Sequence, residues 1–148
     1  MSFKLNKYQL EKYSRQIILK DVGALGQKKI IKSKVLIVGM GGLGCPVAEF
    51  LTRAGIGNIG IVDFDKVDLS NIHRQSLFNL KDLKKSKVIV AKKKLNKINI
   101  QTKVECYNLK LNKKNQSKII KKYDYIVDGS DNFETKLLVN DFCKKYKK

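Results

Sequence analysis

Three glycines with the spacing G-x-G-x-x-G are the first residues in this chain whose pattern favours chemistry. Gly39, Gly41 and Gly44 follow the apolar run 35–38 and precede a stretch of helical character. In such a loop the first glycine permits a tight turn, the second lets the backbone approach a phosphate, and the third lets a helix pack on the strand. Asp63 ends the next apolar run, where an acid binds a ribose. The pattern predicts a nucleotide site but does not separate NAD, FAD and ATP, and the alternative is that the glycines serve packing alone.

The arginines are informative because they are rare. The chain holds 29 lysines and three arginines, so an arginine indicates a contact that lysine does not make equally well, such as a bidentate bond to phosphate. Arg15 and Arg74 both precede glutamine, and Arg74 lies in the long polar segment 64–81, just beyond the expected ribose. We interpret both as phosphate contacts, with a structural arginine–carboxylate pair as the alternative. Arg53 has no comparable context and is interpreted as structural.

Two more groups of polar residues follow predicted strands or begin predicted helices. Asp128 and Asp131 come after the fourth apolar run and could hold Mg²⁺, with Asn132 bonding to substrate; the alternative is a tight turn in which Asn132 caps the next helix. Lys87 falls in the first turn of a predicted helix, where the helix dipole disfavours a cation unless an anion binds there. His73 is interpreted as a loop residue. No Cys–His or Ser–His–Asp set accompanies these residues.

The elements that must position these residues alternate between strand and helix. A capping box of Asn6 and Gln9 predicts an N-terminal helix. Alternating strands and helices indicate a parallel sheet with right-handed crossovers. The predicted fold is α/β: a Rossmann-like, doubly wound, mainly parallel sheet, truncated after the fourth strand and its following helix. We divide the chain into an N-terminal helical segment, 1–32, and an ATP-binding domain, 33–148. The predicted strands are 35–38, 59–63, 102–107 and 123–127, and the predicted helices after the first glycine loop are 45–54, 86–97, 113–122 and one from 133.

Composition restricts the class of protein. The net charge is +19, which favours nucleic-acid binding, but the charge lies mainly in 81–122, whereas the motif-bearing stretch 35–75 is nearly neutral. Together with the scarcity of arginine, this predicts no specific nucleic-acid partner. No apolar run is long enough for a membrane span, and the first twenty residues lack the apolar core of a secretory signal. We expect a cytoplasmic protein without a membrane partner.

The three cysteines form neither a disulfide framework nor a zinc site. Cys45, Cys106 and Cys143 lie far apart, with no C-x-x-C pair. Cys45, beside the glycine loop, is interpreted as a small packing residue.

The motifs follow one another in an order that resembles the ThiF/MoeB/HesA family, bacterial relatives of ubiquitin-activating enzymes. The resemblance covers nearly the whole chain, and the order of motifs is specific where each motif is not. The matching segments are Tyr13-Ser14-Arg15-Gln16-Ile17, Gly26-Gln27, 35–44, Ala54-Gly55-Ile56-Gly57, Asp63-x-Asp65, Ser70-Asn71-x-x-Arg74-Gln75, Lys87 and Asp128-x-x-Asp131-Asn132.

The resemblance implies an adenylyltransferase. Such an enzyme uses ATP and Mg²⁺ to adenylylate the C-terminal glycine of a β-grasp sulfur-carrier protein, for molybdopterin or thiamin-thiazole synthesis. By resemblance, Asp63 binds the ribose, Asp131 supports Mg²⁺, and Arg15 reaches ATP from the partner subunit of a homodimer. The implied cofactor-binding residues are Gly39, Gly41, Gly42, Gly44, Asp63, Asp65, Ser70, Asn71, Arg74, Lys87, Asp131 and Asn132. The residues implied for catalysis are Arg15, Arg74, Lys87 and Asp131.

The residues agree with this chemistry, and the length departs from the family. A carboxylate nucleophile is already ionised at neutral pH, so no general base is required, and positioning two anions needs arginine, lysine and metal. Members of the family continue well beyond this length and carry two C-x-x-C pairs for zinc, which this chain lacks. We therefore expect a fragment, a truncated product or half of a split enzyme. The alternative function is a non-catalytic nucleotide-binding or scaffold module that needs a partner chain.

Overall fold

A sheet of four parallel strands forms the centre of the protein. The computed structural model describes residues 4–148. Every strand pair is parallel, and the spatial order is β3-β2-β1-β4. This confirms the predicted α/β, Rossmann-like fold, since the chain moves outwards from β1 to β3 and then crosses to the other side of β1 for β4. The strands are β1 (Lys34–Val38), β2 (Asn58–Val62), β3 (Lys103–Tyr107) and β4 (Tyr125–Asp128).

Helices cover both faces of the sheet. Ile37 and Ile61 pack on the side of α4 and α5, whereas Leu36, Val38 and Val62 pack on the side of α6 and α7. The alternation follows from the strand period of two, and continuous apolar runs such as β1 result when both faces are buried. The helices are α1 (Lys7–Lys12), α2 (Ser14–Ile17), α3 (Gly23–Lys32), α4 (Gly44–Ala54), α5 (Lys87–Ile98), α6 (Gln116–Ile120) and α7 (Phe133–Tyr146).

The N-terminal helix differs from its prediction. The capping box is confirmed, with Gln9 N–H donating to Asn6 Oδ1 at 2.9 Å and Asn6 N–H donating to Gln9 Oε1 at 3.1 Å. The helix then breaks at Tyr13, whose ring is buried against the end of α4. A Cβ on Gly55 would lie 2.6 Å from Tyr13 Cζ, and Gly55 has a φ of +94°. A long-range contact therefore divides a stretch that has helical spacing throughout.

The helix predicted over 113–122 is shorter than expected. Residues before α6 form a turn, in which Asn112 Oδ1 accepts from the N–H of Lys114 at 2.9 Å and Asn115 Oδ1 accepts from the N–H of Asn112 at 2.9 Å. Asparagine side chains that bond to nearby backbone compete with the helix in this way.

The helices within residues 4–148 include none that is long and apolar enough to cross a bilayer.

Candidate functional site

The glycine loop lies where the strand order reverses. β1 has β2 on one side and β4 on the other, and open α/β sheets bind ligands at the carboxyl edge of this position. Gly39 has a φ of +91°, and a Cβ there would lie 2.7 Å from the carbonyl oxygen of Gly129 in the β4–α7 turn. A Cβ on Gly44 would overlap the carbonyl oxygen of Gly39. Both positions therefore require glycine, as the spacing predicts.

Asp63 ties the glycine loop to the segment after β2. Its Oδ2 accepts from the N–H of Met40 at 2.7 Å, and its Oδ1 accepts from the N–H of Asp65 at 2.8 Å. The side chain is largely buried. Each carboxylate oxygen can accept a second bond, so the predicted ribose contact would add to these two bonds rather than replace them.

Lys87 is buried beside the same segment and begins α5, as the sequence predicts. Its Nζ donates to Asp65 Oδ2 at 3.0 Å, and its backbone N–H donates to Asp65 O at 3.0 Å. The Asp65 carboxylate is itself half-exposed. A buried cation at the start of a helix thus has an anionic partner, and that partner remains open to solvent.

Arg74 lies along the glycine loop. Its Nη1 donates to the carbonyl oxygen of Ser70 at 2.9 Å, and its Cδ lies 3.5 Å from the position that a Cβ on Gly42 would take. The guanidinium is otherwise exposed. Asn71 O accepts the N–H of Arg74 at 3.1 Å, which holds the turn together. Ser70 donates both N–H and Oγ–H to Asp68, and these two bonds lower the pKa of that carboxyl.

The β4–α7 turn uses its polar residues in different ways. Asp128 Oδ1 accepts from the N–H and the hydroxyl of Ser130, at 2.9 and 2.6 Å. Asn132 Oδ1 caps α7 by accepting from the N–H of Thr135 at 2.9 Å. Asp131 is exposed, and its carboxylate has no hydrogen bond or ion pair with any of residues 4–148. Asp128 therefore builds the turn, and Asp131 is the carboxylate left available for a metal ion.

No group of three metal-ligating side chains occurs within the part of the chain that the structure describes. The exposed carboxylate of Asp131 fits Mg²⁺, which is commonly bound by one or two carboxylates together with substrate phosphates and water. A single carboxylate does not fit zinc, which needs several cysteine or histidine ligands.

Arg15 is not brought to this site within one chain. It is exposed on α2, and its neighbour Gln16 donates from Nε2 to the carbonyl oxygen of Ala54 at 2.8 Å. Ala54 ends α4, and the glycine loop begins it, so the two are separated by about 16 Å of helix. The structure groups the predicted residues of the 39–87 and 128–132 segments and leaves Arg15 apart.

Cys45, beside the glycine loop, is not placed to act as a nucleophile. Cys45 is fully buried, and burial raises the pKa of its thiol to about 11. The interpretation as a packing residue is confirmed. His73 is exposed beside Arg74, as expected of a loop residue.

Gln75 is a residue of the site for which the sequence predicts no role. It is buried, and its Nε2 lies 4.0 Å from the position that a Cβ on Gly41 would take. Its place directly after Arg74 was the available signal.

A glycine loop at the reversal point of a doubly wound sheet, with Arg74 along Gly42 and with Lys87 and Asp131 in the segments that follow β2 and β4, is the arrangement of a nucleotide-binding α/β protein. The ThiF family model matches residues 13–148. The chain therefore belongs to the ThiF family, which confirms the resemblance seen in the motifs.

Named relatives agree with this assignment. The chain is 44% identical over 135 residues to a sulfur carrier protein adenylyltransferase of Thermus thermophilus, covering 91% of this chain and 50% of the relative. It is 47% identical over 132 residues to the adenylyltransferase and sulfurtransferase MOCS3 of Xenopus laevis, covering 89% of this chain and 29% of the relative. The chain thus spans half or less of the length of these relatives.

Solved structures show the same fold. E. coli MccB, solved with AMPCPP and MccA, superposes with a TM-score of 0.81 at 30% identity over 95% of this chain and 42% of MccB. E. coli TcdA, a tRNA N6-threonylcarbamoyladenosine dehydratase solved with ATP, superposes with a TM-score of 0.88 over 98% of this chain and 59% of TcdA. At 22% identity the second likeness establishes the fold alone.

Proposed function

We propose that this chain provides the ATP-binding part of an adenylyltransferase that activates the C-terminal glycine carboxylate of a β-grasp sulfur-carrier protein. The observation that carries the proposal is the placement of Arg74 along Gly42, in the loop after β1. Lys87 and Asp131 lie in the segments that follow β2 and β4, the two strands that flank β1. The sulfur-carrier substrate is supported by the similarity to the sulfur carrier protein adenylyltransferase of Thermus thermophilus. TcdA and MccB share the fold but carry other names. The substrate class is therefore inferred from the relatives that are similar in sequence.

The reaction transfers AMP to a carboxylate. A carboxylate oxygen of the carrier attacks the α-phosphorus of ATP, the bond from that phosphorus to the bridging oxygen breaks, and pyrophosphate leaves. The nucleophile needs no base. Arg74 would neutralise charge on the phosphate chain above Gly42. Lys87 would donate from Nζ to a phosphate oxygen while it stays paired with Asp65. Both stabilise charge as the phosphorus–oxygen bond breaks.

Asp131 is the residue that would hold Mg²⁺, because its carboxylate is exposed and bonded to none of residues 4–148. When bound, the ion would neutralise charge on the leaving pyrophosphate. Asp63 would orient the ribose through its remaining lone pairs.

The pathway and assembly are also part of the proposal. We assign the carrier to molybdopterin or thiamin-thiazole synthesis in the cytoplasm. Arg15 would complete the phosphate site of a second copy, since α4 separates it from the site of its own chain. A homodimer accommodates this geometry.

Carrier-dependent exchange of labelled pyrophosphate into ATP tests the function. Exchange is expected with the sulfur carrier present and is expected to fall below detection in Arg74→Ala. Arg53→Ala is the matched control, because it also removes a guanidinium, and among residues 4–148 Arg53 pairs with Glu49 alone, one turn away on α4. Full exchange by Arg74→Ala would contradict the assigned role.

The second candidate is a non-catalytic nucleotide-binding or scaffold module that needs a partner chain. It is favoured by the fold, which this chain shares with proteins of other names and which does not by itself fix an activity. Mg²⁺-dependent ATP binding without carrier-dependent exchange would support this candidate over the first.

A further inference from the structure

Gln75 is held firmly by its backbone but not by its side chain. Its N–H donates to Asn71 O at 3.0 Å, and its carbonyl oxygen accepts from the N–H of Phe78 at 3.0 Å. The residue is only 3% exposed. Its Oε1 is fully buried without a partner, and its Nε2 makes no hydrogen bond with residues 4–148. The terminal amide therefore has no partner among residues 4–148, and of its two polar atoms Oε1 is the one that is fully buried.

The other buried amide residues among 4–148 are paired, whereas the half-buried Gln116 also leaves its Oε1 without a partner. Gln27 Nε2 donates to Ala54 O at 3.0 Å, and its Oε1 accepts from Gln16. Asn99 Nδ2 donates to Tyr13 and to Thr52 O, both at 3.1 Å. Buried polar groups are satisfied as a rule because an unmade bond is costly. Gln75 departs from this rule at the edge of the glycine loop.

The free end of the amide faces the loop. Nε2 lies 4.0 Å from the Cβ position on Gly41, and no other atom outside Gly41 and its chain neighbours comes as close to that position. Arg74 covers Gly42 in the same manner. Two consecutive residues thus lie over two consecutive glycines. Arg74 brings a charged donor to Gly42, and Gln75 brings a neutral donor to Gly41.

We infer that Gln75 donates from Nε2 to a phosphate oxygen of the nucleotide bound over Gly41, and so helps to position the phosphate chain beside Arg74. This inference rests on the proposed function, since it names a further contact at the same site. The neutral amide adds direction without adding charge. A phosphate oxygen is an acceptor, so it pairs with Nε2 and not with the buried Oε1.

Affinities for ATP and for adenosine, measured with the whole chain, test the inference. Gln75→Met keeps the volume and removes the donor, and Gln75→Glu keeps the shape and replaces the donor with a negative charge. We expect Gln75→Met to weaken ATP binding by about tenfold and Gln75→Glu to weaken it further. Adenosine affinity should stay the same because it has no phosphate. Gln101→Met, at an exposed position, is the control and should leave both affinities unchanged.

The results separate this inference from the function on which it rests. An equal loss of ATP and adenosine affinity would assign Gln75 a structural role and overturn the inference. Unchanged ATP affinity in both variants would also overturn it, while ATP binding by the unaltered chain would leave the proposed function standing. Absence of ATP binding by the unaltered chain would overturn both. The melting temperature of Gln75→Met without nucleotide should not fall, since an unsatisfied polar group is removed.

Discussion

Two lysine–aspartate pairs on α5 have opposite patterns of burial, and this difference separates a binding role from a structural one. In the first pair the Lys87 side chain is 6% exposed and Asp65 is 49% exposed, with 3.0 Å between Nζ and Oδ2. In the second pair Lys94 is 29% exposed and Asp82 is 13% exposed, at 2.6 Å. Removing the lysine therefore leaves a hydrated acid in the first pair and an enclosed acid in the second.

The substitutions Lys87→Met and Lys94→Met should have opposite effects. For Lys87→Met, Asp65 is solvated and methionine fills the buried space, so the free energy of unfolding should change by less than about 1 kcal/mol. For Lys94→Met, Asp82 keeps only the backbone N–H of Asn79, and the cost should be about 1–3 kcal/mol. ATP affinity should fall in Lys87→Met by about tenfold to a hundredfold, the value of a lost charge-assisted bond. It should stay unchanged in Lys94→Met.

Urea denaturation and ATP titration of the same preparations measure both quantities. The expected result is a crossed pattern, with stability lost in one variant and affinity lost in the other. If Lys87→Met destabilised the fold more than Lys94→Met and left ATP affinity intact, Lys87 would be a structural residue and the assignment of this site to phosphate would be refuted.

Three further predictions concern the loop, the metal and the pH dependence of stability. Gly39→Ala should cost at least about 2 kcal/mol in urea denaturation, because of its φ of +91° and a contact of 2.7 Å with backbone; Gly23→Ala, with a φ of +54° and open space around it, should cost less. Asp131→Asn should change stability by less than about 0.5 kcal/mol and abolish the Mg²⁺ dependence of ATP binding; loss of stability with the Mg²⁺ dependence intact would contradict this. Burial raises the pKa of Asp82, but the hydrogen bonds from Lys94 and the backbone outweigh it and lower the pKa from its ordinary value of 3.8. The stability that Asp82 contributes should therefore be present above pH 3.8 and lost as the pH falls through the folded-state pKa. If the slope of unfolding free energy against pH is the same in Asp82→Asn, this prediction is wrong.

The residues that follow strands were predictable from sequence. In a parallel sheet the carboxyl ends meet at one edge, so the glycine loop after β1, Asp63 after β2 and Asp131 after β4 were bound to lie near one another. Strand boundaries were predicted within two residues, since β1 and β2 are apolar runs buried on both faces and the third predicted strand alternates.

Contacts between distant segments were not predictable. The break at Tyr13 depends on a glycine more than forty residues away in the sequence, and helical spacing carries no trace of it. The pairing of Lys87 with Asp65 and the missing partner of Gln75 depend on how the 64–86 segment folds back over the glycine loop. Period and propensity describe one element at a time, so they do not report which polar groups remain unpaired once the elements meet.

Lys87 shows why the site, rather than the net charge, indicates what this protein binds. Among residues 4–148 it is the only buried lysine, in a chain that places its other lysines where water solvates them. Taking an ammonium group out of water is costly unless an anion compensates, and Asp65 compensates only from a half-exposed position. Among the other residues of the site, the Arg74 guanidinium donates to the carbonyl oxygen of Ser70 and contacts the exposed His73 ring, and the Asp131 carboxylate is bonded to none of the described residues. Charges held in this way around one glycine loop are available to an anionic ligand and its metal, whereas the lysines of 81–122 outside this site lie in solvent or, as Lys94 does with Asp82, pair with a carboxylate.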